Sequence, residues 1–125
     1  MGSEQQISKI IGVLSDLRKL DDIFDTYVVT SSGNRYSVPG LAPRIQNLGL
    51  LTLLNSTMLT VLGLLNRLFV YKAERVVLEL QDLLVLVYAI NANTALVCVV
   101  PNLANVGLLE VEIENSRRLL KEILG

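Results

Sequence analysis

Between Arg44 and Arg67 the chain carries no charged side chain, and no Pro or turn cluster interrupts the segment after Pro43. The spacing predicts a single helix running to about Phe69. A helix with a hydrated face on a globular domain normally marks that face with Lys, Arg, Asp or Glu. Here Leu54, Met58, Val61, Leu65 and Leu68 form the centre of an apolar arc, with Leu51, Leu62 and Phe69 on one flank and Leu50, Leu53 and Leu64 on the other. The side opposite the centre holds Gly49, Thr52, Ser56, Thr60 and Gly63, all small and uncharged. The arc covers about half the circumference, wider than the ~100° stripe one sheet requires. Such a helix is expected to be covered on more than one side, its arc centre by a sheet, with a flank and the small stripe free to meet another helix.

Around this segment the pattern is regular. Ile7, Ile10, Ile11, Leu14, Leu17 and Leu20 recur at helical spacing behind a Ser3 cap, giving a one-faced helix over roughly 4–20. Residues 26–30 and 35–38 read as short strands joined by the turn residues Ser31-Ser32-Gly33-Asn34. Residues 75–81 alternate, with Val76, Leu78 and Leu80 on one face and Arg75, Val77 and Glu79 on the other. Residues 83–90 and 94–100 are apolar on both faces, which makes them central strands covered above and below. Pro101 is expected to end the sheet. A last helix over about 105–124 has Asn105 or Asn102 as its cap and Val106, Leu109, Ile113, Leu120 and Leu124 as its buried stripe. Glu110, Glu112 and Glu114 precede Arg117, Arg118 and Lys121 along it, matching the helix dipole.

The order αββαβββα with hairpin-length connections implies an α+β fold. A five-stranded antiparallel sheet is expected between the long middle helix on one face and the two terminal helices on the other. The 125 residues make one domain, 1–125, with no linker or repeat.

Composition removes several function classes. With no His there is no imidazole base, and one Cys excludes a thiolate zinc cluster. Ser32-Gly33-Asn34 lacks the Gly-Lys-Ser/Thr ending of a phosphate loop. A net charge of −1 argues against a nucleic-acid surface. Residues 48–65 are long enough to span a bilayer, but Asn55, Ser56, Thr57 and Thr60 dilute them, so no membrane insertion is expected. Cys98, in an apolar run, reads as a buried hydrophobe in a reducing compartment, and the start shows no secretory pattern, so the expectation is a cytoplasmic protein without catalysis or cofactor.

The element order, together with Ala104-Asn105-Val106-Gly107-Leu108-Leu109-Glu110 at the entry to the last helix, resembles the roadblock family of dynein-light-chain and bacterial GTPase-regulator type. The first hairpin turn departs from that family's acidic-Gly pattern, and the middle helix is richer in leucine. The resemblance implies a homodimer that pairs the strand after the middle helix and packs the two middle helices side by side. It also implies binding of small Ras-like GTPases, as scaffold or regulator, or alternatively an adaptor role in a larger assembly with no effect on nucleotide turnover.

Residues placed at the expected interface are Leu51, Leu62, Ser56, Thr60 and Gly63 on the middle helix and Arg75, Val77 and Glu79 on the following strand, with Arg75 and Glu79 pairing across a two-fold axis. Arg44 and Arg67 are the expected GTPase-facing arginines. Leu62→Arg and Val77→Arg are expected to weaken assembly.

Overall fold

The computed structural model describes residues 3–40, 47–70, 72–102 and 106–125. Helix α1 spans Glu4–Arg18, and the Ser3 hydroxyl accepts from the Gln6 amide to satisfy one of the free donors of its first turn. Strands β1 (Asp25–Thr30) and β2 (Arg35–Tyr36) form the first hairpin. Its turn places Gly33 at φ +95°, a backbone conformation that costs glycine nothing. Helix α2 spans Leu48–Leu68, followed by β3 (Arg75–Glu79), β4 (Leu83–Ala89), β5 (Thr94–Pro101) and α3 (Val106–Leu124).

The sheet order is β2-β1-β5-β4-β3, antiparallel throughout. The two strands apolar on both faces, β4 and β5, lie inside it, as the covering argument requires. Their alternate residues supply two cores. Leu86, Tyr88, Leu96, Cys98 and Val100 face α1 and α3. Val85, Val87, Ala95, Val97 and Val99 face α2. Helices α1 and α3 pack together on one face and α2 lies alone on the other.

Boundaries differ in small ways. β2 keeps only two residues, because Ser37 and Val38 leave the ladder ahead of Pro39 at the sheet edge. β3 stops at Glu79, since the Leu80 amide turns back to the Leu83 carbonyl and puts Gln81-Asp82 in the turn. As expected, β5 ends on Pro101, which pairs with Leu83 as the last residue of the ladder. Between β4 and β5, Asn91 Oδ1 accepts from the amides of Asn93 and Thr94 and from the Thr94 hydroxyl, which closes the second turn. The proposed cap Asn105 lies outside the described residues.

Candidate interaction surface

The orientation of α2 is the reverse of the one expected. Its buried residues are Thr52, Asn55, Ser56, Leu59 and Leu62, so part of the small polar side, Asn55 and two leucines lie on the sheet, while Gly49 and Thr60 stay exposed. Three of the five residues at the arc centre face outward, Leu54 and Val61 each 44% exposed and Leu68 74% exposed, whereas Met58 and Leu65 are half-buried. Leu50 and Leu53 are more than half exposed, and Phe69 and Val70 continue the patch beyond the helix. The physical reason is a set of polar attachments that only this side can make. The Tyr27 hydroxyl donates to Asn55 Oδ1 at 2.5 Å, within a fully buried contact. Ser56 Oγ donates to the Thr30 carbonyl at 2.8 Å. Near the end of α2, the Asn66 side chain donates to the Ala73 carbonyl and accepts from the Ala73 amide. A buried tyrosine hydroxyl left without a partner would cost about 1–3 kcal/mol, and leucine offers it none; the Thr30 carbonyl, which also accepts from the Gly33 amide, gains a second bond from Ser56.

These attachments settle which flank of α2 points where. Ser56 and Thr52 look toward β1 and β2. The opposite flank, through half-buried Leu51 and Met58, packs beside Leu78 of β3 and Leu83 of β4. At about 100° per residue, Leu54, Val61 and Leu65 continue that flank toward the β3 edge. Leu50, Leu53 and Leu64 stand on the ridge turned away from the sheet.

β3 is one edge strand of the sheet, the short β2 being the other, and its exposure alternates as expected. Val76 and Leu78 are half-buried on the α2 face, whereas Arg75, Val77 and Glu79 are exposed on the other. Val77 is 47% exposed at the middle of the strand. Arg75 is already engaged within its own chain: it bonds Glu110 of α3 and the Tyr88 hydroxyl, and lies over the Tyr88 ring at 5.9 Å. The hydrogen bond to Tyr88, and then that to Glu110, hold the guanidinium pKa above its ordinary value.

Of the residues expected at an interface, Leu62 and Ser56 are corrected. Leu62 is 1% exposed and Ser56 is buried with its hydroxyl turned to Thr30, so neither presents a side chain to a partner. Leu51 and Gly63 are half-buried, and Thr60, Arg75, Val77, Glu79 and Arg67 are exposed. Arg44 lies outside the described residues. Sequence reasoning assigned the arc centre to the sheet and so missed Leu54 and Val61 as surface residues. The signal that identifies the sheet side is Asn55, an amide that an apolar surface would leave unsatisfied.

α2 is also the helix, among the described residues, that is long and apolar enough to cross a bilayer, and 33% of that stretch is buried in the protomer. Among the described residues no three His, Cys, Asp or Glu side chains gather as a metal site. What the surface offers is an apolar helix face flanking an open strand edge, an arrangement suited to binding protein.

The sequence matches no protein-family model and no curated protein. Solved structures with the same architecture do exist. The chain superposes on Myxococcus xanthus MglB with TM-score 0.82 at 21% identity, covering 98% of this chain and 92% of that one. For the gliding protein MglB of Thermus thermophilus the values are 0.77 and 16%, over 98% and 93%. For a Roadblock/LC7 domain from Streptomyces avermitilis they are 0.74 and 20%, over 90% and 95%.

The chain has the roadblock fold.

Within that roadblock architecture, the apolar outer face of α2 lies beside the β3 edge, which exposes Val77 between Arg75 and Glu79. Leucines at this density on a roadblock α2 need covering, because each large side chain left in water forgoes roughly 1.5–3 kcal/mol of burial.

Proposed function

We propose that this protein is a homodimeric, cytoplasmic interaction module that binds a small Ras-like GTPase and scaffolds or regulates it without enzymatic chemistry of its own. The observation that carries the reading is the outward leucine face of α2 beside the unpaired β3 edge, on a fold shared with MglB. A further similar structure is of MglB in a tetrameric arrangement, which supports self-association as a property of the fold.

The outward face divides into two jobs. The flank of Leu54, Met58, Val61 and Leu65 meets the same flank of a second copy, while the β3 edges pair and extend the sheet. A two-fold axis lets one patch cover itself. The ridge of Leu50, Leu53 and Leu64 then stays uncovered on the dimer and is the platform for the GTPase. Any effect on hydrolysis would act through the GTPase's own residues, with Arg67 as the arginine of this chain to test.

The deciding experiment titrates the protein into a GTP-hydrolysis assay with Ras-like GTPases from the same source. A changed turnover rate that is lost in Leu53→Arg and Leu64→Arg, with the dimer intact, supports the reading. Binding without any change in rate makes the protein an adaptor, and no binding to any such GTPase overturns the proposal.

A further inference from the structure

A cleft of about 720 Å³ opens beneath the C-terminal half of α2, where the helix overhangs the end of the sheet. It is a consequence of small residues from separate segments. Gly63 on α2, Ala73 ahead of β3, and Ala89 and Ala92 around the end of β4 all border it. A side chain added at Gly63 would meet nothing within 4 Å. The polar attachments hold α2 at Asn55 and Ser56 and again at Asn66, and the gap lies along the helix between them. Leu59, Leu62 and Ile90 form an apolar floor.

The rim is cationic. Arg67, Lys72 and Arg117 line it against a single carboxylate, Glu74. Arg117 is occupied, because it pairs with Glu114, lies in the field of Glu74 and reaches the Ala89 carbonyl. Arg67 and Lys72 make no ion pair or side-chain hydrogen bond among the described residues and are exposed. A last-turn arginine is favoured by the helix dipole alone, whereas Lys72 lies beyond the helix, next to Ala73, which the Asn66 side chain holds.

We infer that this cleft receives an acidic peptide segment from a partner protein, an apolar side chain seated on the floor and flanking carboxylates set against Arg67 and Lys72. The volume falls in the range of ligand-binding clefts, and the charge pattern selects anionic over neutral segments. This names the chemistry of a partner and rests on the functional reading only in taking that partner to be a protein.

The test uses the full chain and fluorescence anisotropy of a labelled hexapeptide with central leucine and phenylalanine between pairs of acidic residues. Two counterparts serve as comparisons, one with amides in place of the carboxylates and one with two central glycines. The acidic apolar peptide is expected to bind, and both counterparts to bind at least about tenfold more weakly. Charge reversal in Arg67→Glu/Lys72→Glu should weaken binding by a similar factor, and raising salt should weaken it further. Gly63→Leu fills the gap while improving helix propensity, so it should fold at least as well and lose the peptide. Leu119→Arg, on the outer face of α3, should change nothing. Absence of binding, equal affinity for the amide peptide, or full affinity in Gly63→Leu overturns the inference. If the peptide fails while the GTPase still binds, the cleft alone is refuted; if the peptide binds and no GTPase does, the cleft stands by itself.

Discussion

Asn55 has no exposed surface and its Oδ1 accepts a hydrogen bond from the Tyr27 hydroxyl, so a polar pair rather than a packed leucine anchors the middle of α2. Asn55→Leu removes the acceptor of that hydroxyl and should destabilise the protein by about 1–3 kcal/mol in chemical denaturation. Adding Tyr27→Phe should restore part of the loss, because the orphaned group is then gone. On the other face of the sheet, Cys98 is fully buried, and burial pushes its thiol from 9.0 up to about 12 against a smaller opposing hydrogen bond with Thr26. The sign follows from which form the fold disfavours. Above pH 9 an unfolded chain ionises the thiol and the folded chain does not, so stability is full below pH 9 and falls as pH rises toward about 12. Burial, and then the charge of Asp25, also raise the Tyr27 hydroxyl above its ordinary value of 10.0, which adds to the fall at higher pH. Denaturation midpoints should therefore be level through neutrality and drop in alkali, and Cys98→Ala should shrink the early part of that drop. Cys98 was legible as a small hydrophobe from its run alone, because a strand apolar on both faces leaves no exposed position for a thiol. Asn55 was not, since its meaning depends on Tyr27, 28 residues away in the chain.

At the scale of elements, alternation and helical spacing were enough for the sheet and the terminal helices. β4 and β5 are apolar on both faces and are interior; β3 alternates and is an edge. The same reasoning misplaced α2. Periodicity defines a helix's apolar face but not which partner it meets, and an arc half the circumference wide satisfies a sheet and a second helix equally well. The hydrogen-bond needs of β1 break the tie by drawing Asn55 and Ser56 inward. This changes what a substitution tests. Leu62→Arg now buries a charge under α2 and should unfold the protein or destabilise it by several kcal/mol, whereas Leu64→Arg on the exposed ridge should shift the thermal midpoint little. Circular dichroism melts of the two variants side by side check the orientation of the helix without reference to any partner.

At the scale of the molecule, the protomer leaves its most leucine-rich helix face and one strand edge uncovered, next to each other. Val77, at the middle of that edge, should interfere with edge pairing when changed to arginine, lowering the assembled fraction without unfolding the chain. The element order was readable from the sequence, and the missing charges between Arg44 and Arg67 marked α2 as unusual for a helix facing water; the side chains it turns outward were not readable, because they depend on how α2 is rotated. Light scattering behind size exclusion, on the wild type and on Leu54→Arg/Val61→Arg, tests the account most directly. It predicts about twice the 13.8 kDa of one chain for the wild type, and a single chain with unchanged secondary structure for the variant. A wild-type protein that runs as a lone 13.8 kDa chain, stable and soluble with the leucine face in water, would contradict it.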